Sequence, residues 1–180
     1  MIVTHLLENR LCFEALVAEV YQPLQRYLYR RIDSASADEV LGDVLLVMWR
    51  RVDDIPAEAA LAWCYGVARG CLANKRRGID RHLKLVRRLE SEREPASPSD
   101  DPLLREALGR LHEVDREVLR LWAWEYLAPR EIAIVLGITP NAASIRLHRA
   151  TKKLKSEFLR RQESGSPGHS MEQQGKEEVQ

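Results

Sequence analysis

The stretch LGITPNAASIRLHRATKKLK, residues 136–155, places a glycine-containing turn before a two-sided helical segment. On a helix that advances about 100° per residue, its apolar side chains fall on one stripe. This stripe consists of Ala143, Leu147, Ala150, Leu154 and, just beyond, Phe158. The opposite face carries Asn141, Ile145, His148, Arg149 and Lys152, with Ser144 and Arg146 on its flanks. Such a helix is typical of one that packs closely on the protein and recognises a partner with its outer face.

The residues before this segment carry the signals of a helix–turn–helix. Pro129 suits the first turn of a helix that ends at Leu136. Gly137 can adopt the positive φ that a sharp helix end requires. Thr139, directly before Pro140, is a suitable N-cap for the next helix. These features predict a helix–turn–helix with an outward basic face. On pattern alone, a plain pair of packed helices with a solvated basic face remains the alternative.

Charge is distributed unevenly along the chain. The 180 residues have a formal net charge of only +1, and the hydrophobic share of 45% is that of a globular protein. Lys and Arg are concentrated in two blocks, residues 69–88 and 146–161, with acidic residues such as Glu92, Glu94 and Asp100 between them. Two basic blocks separated by an acidic strip predict two separate contacts with a polyanion.

Helical spacing of apolar residues dominates the sequence, and strand patterns are nearly absent. The segment SEREPASPSDDP, residues 91–102, is rich in proline, serine and acids and predicts a linker. The polar C-terminal segment is expected to be disordered. We therefore expect an all-α protein with two small helical domains. Their predicted bounds are 5–89 and 103–161, with an acidic linker at 90–102 and a tail at 162–180.

Several classes of function find no support in the sequence. Cys12, Cys64 and Cys71 lack metal or redox spacing, so we expect no metal and no cofactor. Cys64 and Cys71 are expected to be small buried side chains. No nucleophile–base pair or phosphate loop is apparent, so we expect no catalytic residues. Without a signal peptide or an apolar run of about 18 residues, we expect a cytoplasmic protein without membrane insertion.

A family resemblance rests on both predicted domains. Residues 104–155, LREALGRLHEVDREVLRLWAWEYLAPREIAIVLGITPNAASIRLHRATKKLK, resemble region 4 of the extracytoplasmic-function sigma factors of the sigma-70 family. Residues 13–32, FEALVAEVYQPLQRYLYRRI, and 38–55, DEVLGDVLLVMWRRVDDI, resemble the first helix of region 2 and its polymerase-docking helix. Residues 61–77, LAWCYGVARGCLANKRR, resemble the promoter-opening helix, whose pattern begins AWLYRIARN. Together these stretches cover roughly residues 13–160.

The resemblance implies a polymerase-binding face on the docking helix. It consists of Glu39, Gly42, Asp43, Leu46 and Arg50. Glu39 and Asp43 are four residues apart and share a face, which suits a basic coiled-coil partner, here the clamp of the polymerase. A solvated helix start explains Glu39 well and Asp43 less well. Gly42 replaces the usual Gln, which removes one expected hydrogen bond.

The resemblance also implies contacts that recognise and melt the −10 promoter element. These residues are Trp63, Tyr65, Arg69, Gly70, Asn74, Lys75, Arg76 and Arg77. Opening DNA needs cations along the backbone and apolar faces that receive unstacked bases. Core packing is at least as good an explanation for one of the two aromatic residues. Gly70 replaces an Asn that commonly helps to hold a flipped base, and Trp49 is expected in the core.

For the −35 element, the resemblance assigns recognition to the second helix of the helix–turn–helix. The expected contacts are Thr139, Asn141, Ser144, Ile145, Arg146, His148, Arg149 and Lys152. Ser144 replaces the usual Lys or Arg, and Ile145 replaces the usual Ser. These changes leave the expected fold intact and alter the expected sequence preference.

The implied partners are core RNA polymerase, through its clamp helices and flap, promoter DNA and an anti-sigma factor. The acidic linker would thread toward the RNA channel of the polymerase, and the free protein is expected to be a monomer. A polymerase-independent helix–turn–helix regulator is the alternative. It explains residues 129–155 equally well but leaves the docking-like and melting-like helices unexplained.

Overall fold

In the computed structural model, residues 2–86 and 102–165 are described, and every regular element within them is helical. The N-terminal half contains α1 (Ile2–Tyr29), α2 (Ser34–Arg50), two short 3₁₀ turns (Val52–Asp54 and Ala57–Ala59) and α3 (Ala60–Val86). The C-terminal half contains α4 (Pro102–Gly109), α5 (Glu113–Trp124), α6 (Pro129–Leu136) and α7 (Pro140–Gly165). The expectation of an all-α fold is confirmed. Most of the expected linker and tail lie outside the described residues, although α7 continues past residue 161.

The N-terminal half is a three-helix arrangement in which α1, α2 and α3 all contact one another. Asp33 begins α2, because its side chain accepts a hydrogen bond of 3.0 Å from the backbone N–H of Ser36. The buried core between the helices includes Leu24 from α1, Val44 from α2 and Cys64 from α3. These residues recur at helical spacing, so burial of one face of each helix determines how the helices assemble.

In the C-terminal half, α7 is the helix against which the others pack. It contacts α4, α5 and α6. A small cluster formed by Leu108, Leu111, Leu119 and Ala150 joins α4 and α5 to the middle of α7. Because Ala150 has a short side chain, these helices approach α7 closely, as the sequence of its apolar stripe predicts.

The larger core is shared by both halves of the chain. Its buried residues run from α1, α2 and α3 into α5, α6 and the start of α7, where they include Val118, Leu121, Ile132, Val135 and Ala143. Helix α6 packs directly on α3. This shared core places the helix–turn–helix beside the helix that resembles the promoter-opening one.

Candidate nucleic-acid and polymerase interfaces

The turn before the reading helix α7 has the geometry that the sequence predicts. Gly137 ends α6 with a φ of 65°, in the left-handed region that glycine favours. The backbone N–H of Ile138 then donates to the carbonyl of Ala133 at 3.0 Å. At the start of α7, the Thr139 hydroxyl oxygen accepts a 3.2 Å hydrogen bond from the backbone N–H of Ala142. The predicted glycine stop and threonine cap are therefore confirmed.

Helix α7 buries its apolar stripe and exposes the face expected to read DNA. Ala143 and Ala150 are buried, and Leu147, Leu154 and Phe158 are half-buried. The exposed residues are Asn141, Ser144, Ile145, His148, Arg149 and Lys152, together with the cap Thr139. This separation leaves a largely polar and cationic surface on one side of α7, and an α-helix fits into the major groove of B-DNA.

Arg146 differs from the other residues of this face. It is half-buried, and its guanidinium lies 3.3 Å from the Asp115 carboxylate of α5. Asp115, Ala142, Ile145, Arg146 and Arg149 border one surface depression between α5 and α7. The ion pair with Asp115 draws the Arg146 guanidinium toward α5. Ile145 and Arg149 border the same depression from α7.

The residues expected to contact polymerase lie on one exposed face of α2. Glu39, Gly42, Asp43, Leu46 and Arg50 are all exposed. Glu39 is not isolated, because its carboxylate forms an ion pair with Lys75 of α3. The hydrogen bond with Glu39 raises the pKa of the Lys75 ammonium. The structure thus joins one expected polymerase contact to one expected −10 contact.

Trp49 departs from its expected place in the core. It is 40% exposed and meets Phe13 edge-on, with the ring centroids 5.2 Å apart. The apolar spacing of α2 had suggested burial, but Trp49 lies at the border of the face that carries Leu46. Its outer edge therefore enlarges the exposed apolar part of that face.

Most of the non-aromatic residues expected to melt DNA are exposed on α3, and Lys75 is half-buried there. Arg69, Gly70, Asn74, Arg76 and Arg77 are exposed on α3. Asn74 accepts a hydrogen bond from Arg77, and Arg76 donates to the backbone carbonyl of Arg31 at 3.1 Å. The cationic part of the expected site is therefore assembled at the solvent-facing side of α3.

The two aromatic residues of the expected melting site have different surroundings. Trp63 is half-buried, with the Arg51 guanidinium 5.3 Å from its ring centroid. Tyr65 is only 2% exposed, and its ring centroid lies 4.9 Å from that of Tyr27. Burial, followed by the charge of Glu125, raises the pKa of the Tyr65 hydroxyl. In this structure, core packing therefore describes Tyr65, whereas Trp63 keeps an accessible edge.

Sequence reasoning missed a buried cluster of charges between the two halves. The Arg31 guanidinium lies 3.0 Å from Glu117 and 3.1 Å from Glu125, and the Arg31 and Glu125 side chains are each 2% exposed. Arg30 also donates to Glu125, at 2.6 Å. Tyr27 stacks beneath Arg31 and donates its hydroxyl hydrogen to Glu117. The partners are 86 to 95 residues apart along the chain, so no local pattern reveals the cluster.

Three further observations bear on the metal-ligating, cysteine and membrane features considered in the sequence. Among the residues that the structure describes, no group of three or more His, Cys, Asp or Glu side chains is placed to hold a metal ion. Cys64 is buried as expected, and burial raises the pKa of its thiol to about 12, whereas Cys71 is only half-buried. No helix in the described ranges is long and apolar enough to cross a membrane.

Comparisons with known proteins agree with these features. Residues 102–154 match the family model "Sigma-70, region 4". The chain is 32% identical over 155 residues to RNA polymerase sigma factor CarQ of Myxococcus xanthus, covering 79% of this chain and 87% of that protein. It is 26% identical over 148 residues to RNA polymerase sigma factor SigZ of Bacillus subtilis, covering 79% and 84% respectively.

A solved structure shows the same fold. The sigma factor RpoE of Bartonella quintana, in complex with the anti-sigma factor NepR, is 20% identical and superposes with a TM-score of 0.55. The match covers 87% of this chain and 97% of that chain. The resemblance drawn from the sequence is thereby confirmed. The chain belongs to the RNA polymerase sigma factors of the sigma-70 family, in the extracytoplasmic-function group.

Proposed function

We propose that this sigma factor, which directs core RNA polymerase to promoters, reads the −35 element with the exposed face of α7. The observation that carries this proposal is the geometry of the helix–turn–helix. Gly137 and Thr139 fix the start of α7, and its buried alanines hold the helix close to the protein. A cationic helix presented in this way by its N-terminal turns suits a major groove. Asn141, Ser144, Ile145 and Arg149 would face the bases, and His148 and Lys152 would lie nearer the phosphates.

The docking of polymerase is assigned to the exposed face of α2. Asp43 and Leu46 combine a carboxylate with an exposed apolar side chain, and the exposed edge of Trp49 adjoins them. A face of this kind suits a basic coiled-coil partner such as the clamp helices. The flap of the polymerase would contact the C-terminal half. The absence of a side chain at Gly42 leaves open space, since nothing lies within 4 Å of a Cβ built there.

The −10 element is assigned to the solvent-facing side of α3. Arg69, Arg76 and Arg77 supply cations for the DNA backbone, and Trp63 supplies an aromatic edge for an unstacked base. Asn74 lies one turn beyond Gly70 and is exposed. Tyr65 is buried against Tyr27 and offers no accessible face to an unstacked base in this structure.

The remaining assignments follow from membership of the family. The protein would act in the cytoplasm as a monomer before it joins polymerase, with an anti-sigma factor as its restraint. It would perform no chemical step itself, since the polymerase synthesises the RNA. The acidic linker at 90–102, most of which lies outside the described residues, would thread toward the RNA channel.

The proposed function is tested by run-off transcription with purified core polymerase and a genomic DNA library. We expect start sites that share a −35 and a −10 element and that depend on this protein. A polymerase-independent regulator would instead bind DNA without producing any new start site.

The docking face is tested by reversing its charge. We expect Glu39→Lys combined with Asp43→Lys to abolish co-purification with core polymerase, while far-UV circular dichroism stays unchanged. Because Glu39 pairs with Lys75, Glu39→Lys would bring two ammonium groups together. Asp43→Lys alone reverses a charge on the same face without that repulsion. Glu58→Lys makes the same charge change as Asp43→Lys at an exposed position off this face and serves as its matched control. Wild-type transcription by the double variant would show that polymerase docks elsewhere.

A further inference from the structure

We propose that Asp115 is a positioning residue that withholds Arg146 from DNA. By pairing with the Arg146 guanidinium on the flank of α7, its carboxylate removes one phosphate contact that the reading helix would otherwise make. The inference rests on the proposed function, because it concerns the −35 interface of α7. It goes beyond that function by giving α5 a part in DNA binding, namely to limit the affinity that does not depend on sequence.

Arg146 lies where a freed guanidinium would reach the edge of a major groove. On a helix that advances about 100° per residue, it stands about 100° from Ile145 and about 60° from Arg149. Ile145 and Arg149 are exposed on the face that would meet the bases, so Arg146 occupies the flank of that face. Phosphates lie at the edges of the groove, and arginine is a common ligand for them. The position therefore suits a contact with the DNA backbone.

The Asp115 carboxylate opposes that contact in two ways. One Arg146 nitrogen, Nη1, lies 3.3 Å from Oδ1 of Asp115, so the guanidinium is directed toward α5. The carboxylate also borders the same surface depression as Ile145 and Arg149. A phosphate that entered this depression would meet a negative charge beside the positive one. The ion pair therefore offers a phosphate little net attraction.

Two other cations of α7 are not restrained in this way. Within the described parts of the chain, neither Arg149 nor Lys152 is joined to a carboxylate, and both side chains are exposed. Arg146, by contrast, is half-buried and paired. The face expected to read DNA thus combines free cations with one cation that is held back.

The ion pair can be removed without dismantling the fold around it. The Arg146 and Asp115 side chains are 42% and 24% exposed, and a pair so accessible to water adds little to folding stability. The packing of α5 on α7 rests instead on apolar residues such as Leu119 and Ala150, which are buried in one cluster. Loss of Asp115 should therefore free Arg146 and leave both helices in place.

The test compares four variants of the full-length protein with wild type. Asp115→Asn frees Arg146, Arg146→Gln removes the cation, and the double variant replaces the ion pair by two neutral side chains. Glu113→Gln is the matched control, because it removes a carboxylate from the same first turn of α5. The Glu113 carboxylate lies 4.0 Å from Arg76 of α3 and does not hold Arg146. Far-UV circular dichroism checks that every variant is folded.

Binding is measured by fluorescence anisotropy as a function of salt concentration. The probes are the −35 duplex of a promoter mapped by run-off transcription and a duplex of unrelated sequence. One added phosphate contact steepens the slope of log K against log salt by about 0.9. We therefore expect Asp115→Asn to bind both duplexes about fivefold more tightly at about 0.15 M salt, with the gain vanishing near 1 M. The double variant and Glu113→Gln should match wild type.

A second measurement locates the new contact. Single phosphates of the −35 duplex are replaced in turn by uncharged methylphosphonate linkages. We expect one replacement to abolish the gain of Asp115→Asn while leaving wild-type binding unchanged, because wild-type Arg146 does not touch that phosphate. A general effect of charge would instead be spread over several phosphates.

Three results would overturn the inference. Weaker binding by Asp115→Asn, with a shallower salt slope for Arg146→Gln, would show that Asp115 holds Arg146 in place as a DNA contact. An unchanged slope for Asp115→Asn would show that a freed Arg146 reaches no phosphate. An equal gain for Glu113→Gln would reduce the effect to net charge. Failure of the proposed function has a different signature, since no sigma-dependent start sites would appear, and the unrelated duplex would still decide whether Arg146 is withheld.

Discussion

Ile145 offers a test of promoter reading at the level of a single methyl group. It is an aliphatic residue on the reading face of α7, where it is 43% exposed and borders the depression shared with Asp115 and Arg149. Its available partner in a major groove is the C5 methyl of thymine. We therefore expect the preferred −35 element to place a thymine under Ile145.

The expected magnitude follows from the size of the contact. Replacing that thymine with uracil removes only the methyl, whose burial is worth about 0.8 kcal/mol when complete. Because a free energy of about 1.4 kcal/mol corresponds to a tenfold change in affinity, the loss should not exceed about fourfold. Partial burial of the methyl would make it smaller.

The assay compares −35 duplexes by fluorescence anisotropy, with uracil placed at one thymine at a time. We expect one position to show the loss with wild-type protein and none to show it with Ile145→Ser. Ile145→Val, which keeps a branched aliphatic group, should retain most of the difference. If wild-type protein binds every uracil duplex as tightly as the thymine duplex, Ile145 does not read a methyl group and its exposure has another cause.

Three further predictions concern binding and stability. Arg149→Ala should cost about 1–3 kcal/mol in binding to the −35 duplex and change the preferred base. Lys152→Ala, one turn further along α7, should weaken binding to all sequences alike and reduce its salt dependence. Equal losses that do not depend on sequence would make Arg149 a phosphate contact. Arg31→Ala should lower the free energy of unfolding in urea by about 3–5 kcal/mol, because it leaves buried carboxylates short of a partner; a loss below 1 kcal/mol would contradict their burial. Asp33→Ala should cost about 1 kcal/mol at neutral pH, since it removes the cap of α2. The backbone hydrogen bond from Ser36 lowers the pKa of Asp33, so this contribution is present above the unfolded-state pKa and is lost as the pH falls through the lowered folded pKa; the alanine variant should therefore approach wild-type stability in acid.

The helix–turn–helix could be predicted from the sequence because its signals are local. A glycine at 137, a threonine at 139 and prolines at 129 and 140 determine backbone geometry within a few residues. The stripe through Ala143 follows from the helical period alone. These features appear in the structure where the sequence places them.

The contact between the two halves could not be predicted in the same way. Arg31 lies in a stretch that reads as an ordinary basic helix end, and its glutamate partners are in the other half of the chain. Tyr65 was open to two explanations, base stacking or core packing, because its burial against Tyr27 depends on how α1 and α3 pack. The close approach of α6 to α3 at Gly66, where an added Cβ would lie 3.7 Å from the backbone of Val135, likewise has no local signal in the sequence.

The core shared by the two halves also bears on how this protein unfolds. Val118, Leu121 and Ile132 of the C-terminal half are buried in one cluster with Leu24 and Val44 of the N-terminal half. A boundary drawn at the linker therefore separates stretches of sequence but not cooperative units of stability. We expect thermal melting of the protein to proceed as one transition, and either half produced alone to expose part of this cluster and to self-associate.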